Sequence, residues 1–137
     1  MTSSGARIPG DAGVFAALRD LAREGPVEVT VRGGCMAPLL LDGARVRVAA
    51  ARVYLPGDVV VFRAADGRLL VHRLLGYRPH AGRLALVARG DACAVHDAPV
   101  PLRAVLGRVE AAHPSAALRL RALLRFLGLA GLALRRR

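Results

Sequence analysis

Cys35 is the residue of this chain best suited to covalent chemistry, because it lies in a glycine-rich turn between two predicted strands. The turn spans residues 33–40. Its two glycines permit a sharp change of direction, and its proline fixes the exit. A thiol presented there can attack an electrophile when a base removes its proton and a further group orients that base. The alternative interpretation is that Cys35 is a small buried apolar residue.

His72 is the base that the sequence offers, since imidazole titrates near neutral pH. It lies in the middle of a predicted strand, residues 69–77, where alternation directs it to one face. The alternative is that this face is the solvent face. Asp91 and Asp97 lie in the loop after a later strand, and either carboxylate could orient the imidazole. These residue types therefore predict a thiol hydrolase.

A second cysteine allows a different chemistry at the same place. Cys93 and His96 lie in the loop that also contains the two carboxylates. Together with Cys35 and His72 they offer two thiols and two imidazoles, which make a tetrahedral zinc set if the loop folds over the turn. A redox disulfide between the two cysteines is a further alternative, although such bonds are uncommon in the cytosol. The hydrolase interpretation, which we favour, requires no cofactor.

The elements that must position these residues are predicted to form one antiparallel β domain. A helix is expected at residues 14–23. About six strands are expected, at residues 27–32, 45–49, 59–63, 69–77, 83–89 and 102–109. We divide the chain into an N-terminal tail with a short helix (1–26), a β domain (27–112) and a C-terminal amphipathic helix (113–137). The predicted fold class is mainly β.

The charge of the chain excludes some functions. Its net charge is +11, and all 21 basic residues are arginines, so that a mechanism with a lysine base is excluded. The arginines are scattered and are not interleaved with aromatic residues, so no nucleic-acid partner is expected. The polar N-terminus has no apolar signal segment. We therefore predict a location in the cytoplasm or at the periphery of the cytoplasmic membrane.

The last part of the chain, residues 115–137, is rich in leucine and ends in three arginines. Its longest charge-free run, residues 126–134, is much shorter than the roughly 20 apolar residues that span a bilayer. One interpretation is a helix docked on the β domain or on a second copy of it. The other, which we favour, is an interfacial helix whose arginines reach an anionic membrane surface.

Four segments resemble the conserved boxes of the signal peptidase family. In the first, residues 34–43, Cys35 stands where the family has its serine, and Met36 and Pro38 follow with the family's spacing. In the third, His72 stands where bacterial members have lysine, as in the endoplasmic-reticulum type and its archaeal relatives. The second, third and fourth boxes and the closing strand correspond to residues 56–62, 71–76, 89–97 and 105–109.

The resemblance implies a signal-peptidase β fold that cleaves a leader or signal peptide after a small residue. It implies Cys35 as nucleophile, His72 as base, and Asp97 as the acidic residue, with Asp91 as a supporting carboxylate. The backbone N–H of Cys35 is then the expected oxyanion donor. The residues expected to bind substrate are Gly34, Met36 and Pro38.

Two departures from the family pattern leave an alternative open. A thiol replaces the serine hydroxyl, so the chain could instead be a catalytically inactive, peptide-binding relative. We also expect no counterpart of the family's N-terminal membrane anchor, because the start of this sequence is polar and has no long apolar run. Contact with a membrane would then depend on the leucine- and arginine-rich helix.

Overall fold

The structure, a computed structural model, describes residues 6–7, 12–111 and 115–134. Its elements in chain order are β1 (Ala6–Arg7), α1 (Ala12–Glu24), β2 (Val27–Thr30), β3 (Arg45–Ala49), β4 (Val59–Arg63), β5 (Arg68–His80), β6 (Arg83–Arg89), β7 (Val100–Pro101), a 3-10 turn (Leu102–Ala104), β8 (Val105–Val109) and α2 (Ala116–Leu134). This confirms the predicted mainly β fold with a helix near each end. The predicted domain boundary at 112–113 and the terminal arginines lie outside the described residues.

A single antiparallel sheet contains the described strands. Seven of them follow the order β2-β3-β8-β4-β5-β6-β7, and β1 pairs with β5 outside this path. The last strand of the chain, β8, therefore lies between β3 and β4. The sheet is completed only when residues far apart in sequence have come together.

The strand β4 shows where the core lies, because its first four residues are all buried. Val59 and Val61 pack in one apolar cluster with Phe15 of α1. Val60 and Phe62 pack in a second cluster. Since alternate residues of a strand point to opposite faces, this strand is covered on both sides. An unbroken apolar run is the pattern that such a strand requires.

The long strand β5 changes partners along its length. Residues 69–73 pair with β4 on one side, and residues 73–80 pair with β6 on the other. On the edge of β5 that pairs with β6, residues 68–69 pair instead with the two-residue strand β1. Between these partners, residues 70–72 pair with β4 alone among the strands that the structure describes. We call this short stretch beside His72 the open edge of β5, since no described strand pairs with it on that side.

The C-terminal helix α2 packs against β5, as the docked interpretation predicted. Ala122 is buried against Leu75 and Val87. The Arg119 guanidinium donates to the Pro56 carbonyl at 3.2 Å and lies 2.9 Å from the Asp58 carboxylate. Among the described residues, no helix is long and apolar enough to cross a membrane. Large apolar side chains of α2 remain exposed, namely Leu118, Leu120, Leu123, Leu124 and Leu127.

Candidate functional site

The turn that carries Cys35 is fixed by short-range hydrogen bonds. Gly33 has a φ of +81°, a conformation that an L side chain rarely adopts, and its N–H donates to the Asp42 carboxylate at 2.9 Å. The Leu40 N–H donates to the Met36 carbonyl, also at 2.9 Å. These bonds hold the loop between β2 and β3 in a compact form. Cys35 is partly exposed at its surface.

His72 is buried, with 2% of its surface exposed, and its ring orientation is defined. Its Nδ1 atom lies 2.5 Å from Oδ2 of Asp97. The Phe62 ring packs edge-on against the imidazole, with ring centroids 5.9 Å apart. The other ring nitrogen, Nε2, is buried and has no hydrogen-bond partner among the described residues. The imidazole is therefore oriented by a carboxylate on one side and free to act on the other.

Two thiols lie close to the imidazole of His72. The Sγ atoms of Cys35 and Cys93 and a ring nitrogen of His72 all lie within 4.8 Å of one another. Because Nδ1 is engaged by Asp97, the nitrogen available to the sulfurs is Nε2. The structure thus brings together the nucleophile, base and carboxylate that the sequence suggested, and it places the second thiol of the zinc alternative beside them.

Gly90 allows the two cysteine-bearing loops to touch. The Ala92 N–H donates to the Cys35 carbonyl at 2.9 Å, and the Cys93 N–H donates to the Gly90 carbonyl at 2.9 Å. A Cβ atom added at Gly90 would lie 2.7 Å from the Cys35 carbonyl oxygen and 2.7 Å from the Cys93 sulfur. Side-chain carbons do not approach other atoms so closely, so this position requires glycine.

The structure places Asp91 away from the imidazole, on Arg73. Its two carboxylate oxygens accept from Nε and Nη2 of Arg73 at 2.8 and 2.7 Å. The remaining Nη1 of this buried arginine donates to the Gly57 carbonyl at 2.8 Å. Such a bidentate, charge-assisted pair fixes geometry as well as adding stability. Asp91 therefore holds its loop on β5, and Asp97 alone of the two contacts His72.

The two thiols differ in their surroundings. Burial raises the pKa of the Cys93 thiol above its ordinary value, and its hydrogen bond with Cys35 raises it further. The Asp97 carboxylate acts in the same direction, whereas the Arg89 guanidinium lowers this pKa. The thiolate of Cys93 is therefore disfavoured near neutral pH as long as no metal ion lies beside it.

A cleft runs between the Cys35 turn and β5. Residues 29–33 and 69–72 line its two sides, together with Cys35 and Met36. Met36 is only 1% exposed, so it forms the floor of the cleft and belongs to the core. Gly34 and Pro38, the other predicted substrate residues, are exposed and lie outside the lining. The Cys35 N–H has no acceptor among the described residues and is available to a ligand oxygen.

Two contributors to this site were not identified from the sequence. The first is Arg73, whose position directly after His72 was the only sequence signal of a role in the site. The second is Gly90, which looked like an ordinary turn glycine. The predicted ligand His96 is exposed and is not part of the cluster formed by the two thiols and His72.

No protein-family model and no curated protein matches this chain. The resemblance to signal peptidases stays a prediction from the four sequence boxes.

Proposed function

We propose that this chain is a peptide hydrolase of the signal-peptidase type that uses Cys35, His72 and Asp97. One observation carries the proposal: Asp97 orients His72 through Nδ1, Nε2 has no hydrogen-bond partner among the described residues, and a ring nitrogen of His72 lies within 4.8 Å of the Cys35 sulfur. A nucleophile, a base and a group that orients the base are the three parts that this chemistry requires. The exposed turn lets a substrate carbonyl reach the sulfur.

In the proposed mechanism Nε2 of His72 takes the thiol proton as the Cys35 sulfur attacks the scissile carbonyl carbon. The developing oxyanion accepts from the Cys35 N–H. His72 returns the proton to the leaving amine, and a thioester remains on Cys35. Water, deprotonated by His72, then attacks the thioester, and the proton returns to the departing sulfur. Throughout, Asp97 accepts from the Nδ1–H and stabilises the imidazolium.

The open edge of β5 supports an extended peptide as the substrate. Residues 70–72 can hydrogen-bond a peptide backbone as an added strand, with His72 at the end of this stretch. The floor of the cleft is closed by Met36, so the side chain beside the reacting carbonyl has to be small. This geometry favours cleavage after a small residue of a leader or signal segment.

We further propose that α2 brings the hydrolase to the cytoplasmic membrane. Its outward face combines exposed leucines with the exposed arginines Arg121 and Arg125. Leucines at the acyl boundary with arginines at the headgroups are typical of an interfacial helix. Binding to vesicles with anionic lipid is therefore expected, with much weaker binding to neutral vesicles. A variant with Leu120 and Leu124 replaced by serine should lose this binding, and unchanged binding would contradict the proposal.

The hydrolase is tested with a library of extended peptides that carry small residues, read by mass spectrometry. Wild-type protein should cleave a subset of them, and Cys35→Ala and Asp97→Ala should not. His96→Ala is the matched control, because His96 is exposed in the same loop and should not affect cleavage. Peptide binding without cleavage, in both wild type and Cys35→Ser, would favour the inactive peptide-binding relative. Cleavage by Cys35→Ser alone would show that the thiol prevents turnover in a competent fold.

A further inference from the structure

We infer that Cys35, Cys93 and His72 form a binding site for one zinc ion. The site supplies two thiolate sulfurs and the Nε2 atom of His72, with a fourth position open to water or another ligand. This inference goes beyond the proposed hydrolysis, which uses only one of the two thiols. It also accounts for Cys93, which has no role in that mechanism.

The distances suit a tetrahedral cation. The three donor atoms lie within 4.8 Å of one another. Ligand atoms around tetrahedral zinc are about 3.5–3.8 Å apart when the Zn–S and Zn–N bonds have their usual lengths. Rotation of a cysteine side chain about its Cα–Cβ bond can shorten the separation to this range. Sulfur and imidazole donors select zinc or a similarly soft cation over Mg²⁺ and Ca²⁺, which prefer oxygen.

His72 has the environment of a metal ligand. Its Nε2 atom is buried and has no hydrogen-bond partner among the described residues. A buried polar atom without a partner is costly, and coordination of a cation would remove that cost. Its Nδ1 atom contacts Asp97 at 2.5 Å. A carboxylate on the second ring nitrogen is the usual support of a zinc-binding histidine.

The two thiols are held together before any cation arrives. The hydrogen bond from Ala92 to the Cys35 carbonyl joins the loops, and the absence of a side chain at Gly90 lets them touch. The Arg89 guanidinium donates to the Cys93 carbonyl at 2.5 Å, which places a positive charge near this thiol. Little ordering is therefore needed on binding, because the protein backbone has already positioned the donors.

Zinc binding and hydrolysis would exclude each other at this site. A bound ion occupies the lone pairs of the Cys35 sulfur and of Nε2, which the hydrolytic mechanism needs for attack and for proton transfer. Zinc is therefore expected to inhibit peptide cleavage, and a chelator should restore it. The binding itself does not depend on the hydrolase proposal and is measured without peptide.

The test is a zinc titration of the full chain, reduced with a phosphine, in competition with a chromogenic chelator. One ion per chain is expected, and Mg²⁺ should not compete. Cys93→Ser should weaken binding on the order of 100-fold or more, because a thiolate ligand is lost. Asp97→Asn should weaken it by about 10–100-fold through His72. His96→Ala, the exposed control, should bind like wild type.

Cobalt substitution gives a second readout that needs no variant. A tetrahedral site with two thiolates should give strong visible bands and a sulfur-to-cobalt charge-transfer band in the near ultraviolet. Absence of zinc binding by the reduced wild type would overturn the inference, as would binding that neither Cys93→Ser nor Asp97→Asn weakens. Peptide cleavage without zinc binding would overturn the zinc site and would still support the hydrolase proposal. Zinc binding without cleavage, even after chelation, would instead count against the hydrolase.

Discussion

Replacing Asp91 with alanine should destabilise the protein far more than replacing a comparable exposed aspartate. In the folded chain the Asp91 carboxylate accepts two hydrogen bonds from Arg73, at 2.8 and 2.7 Å. The Arg73 side chain is only 8% exposed and that of Asp91 is 23% exposed. After Asp91→Ala, the buried guanidinium would keep only its bond to the Gly57 carbonyl.

The size of the effect follows from this burial. Removing one partner of a buried ion pair costs about 3–5 kcal/mol, because the remaining charge is left without compensation. Since Asp91 retains some contact with solvent, we expect the lower end, about 3 kcal/mol. With a urea dependence of roughly 2 kcal/mol per molar, the unfolding midpoint should fall by about 1.5 M.

The measurement is urea unfolding followed by circular dichroism, with Asp20→Ala as the matched control. Asp20 pairs with Arg23 at 3.4 Å, but the two side chains are 72% and 59% exposed. An exposed pair of this kind contributes less than about 1 kcal/mol, so its midpoint should barely change. Equal midpoints for the two variants would refute the assignment of Asp91 as the residue that holds its loop on β5.

Three further predictions concern the site. Iodoacetamide should label Cys35 before Cys93 at neutral pH. Labelling of Cys93 should rise only as the pH passes the raised pKa of its thiol, above the ordinary value of 9.0. Equal labelling rates at neutral pH would contradict an activated Cys35. Gly90→Ala should lower stability by about 1–3 kcal/mol in urea unfolding, since its Cβ would overlap the Cys35 carbonyl, whereas Gly34→Ala, with nothing within 4 Å, should not. If the open edge of β5 binds peptide, deleting residues 1–7 should strengthen peptide binding about fivefold, because β1 pairs with the adjoining residues 68–69 and its release removes roughly 1 kcal/mol of competition. Unchanged fluorescence anisotropy titrations would exclude that competition.

The sequence predicted those elements whose pattern is local. β3, β4 and β6 begin and end where alternation and turn residues placed them, at Arg45–Ala49, Val59–Arg63 and Arg83–Arg89. Of the last predicted strand, residues 102–109, the first three form a 3-10 turn, and β8 begins at Val105. The two-residue strands β1 and β7 were missed. Two residues contain too little periodicity to predict a strand, and their pairing is decided by the neighbouring strand edge.

For the C-terminal helix, the sequence predicted the helix and the structure decided its position. Leucines lie on most sides of this helix, so the sequence alone does not show which face of the helix is covered. Gly76 of β5 decides this, because a Cβ atom there would lie 2.7 Å from the Phe126 ring. The glycine makes room for the aromatic ring, and α2 docks at that point. The leucines away from this contact stay exposed, as the membrane proposal requires.

For the site, the sequence by itself determined the residue types and their local settings. The glycine turn around Cys35, the strand that carries His72 and the loop that carries Asp97 can all be inferred from nearest neighbours. Only the tertiary structure decided that Asp97 contacts His72, that Asp91 contacts Arg73, and that the Cys93 sulfur lies beside Cys35. The physical reason is that these contacts join residues 18 to 58 positions apart, whose approach depends on how β5 and β6 pair. Local propensity contains no information on such distances.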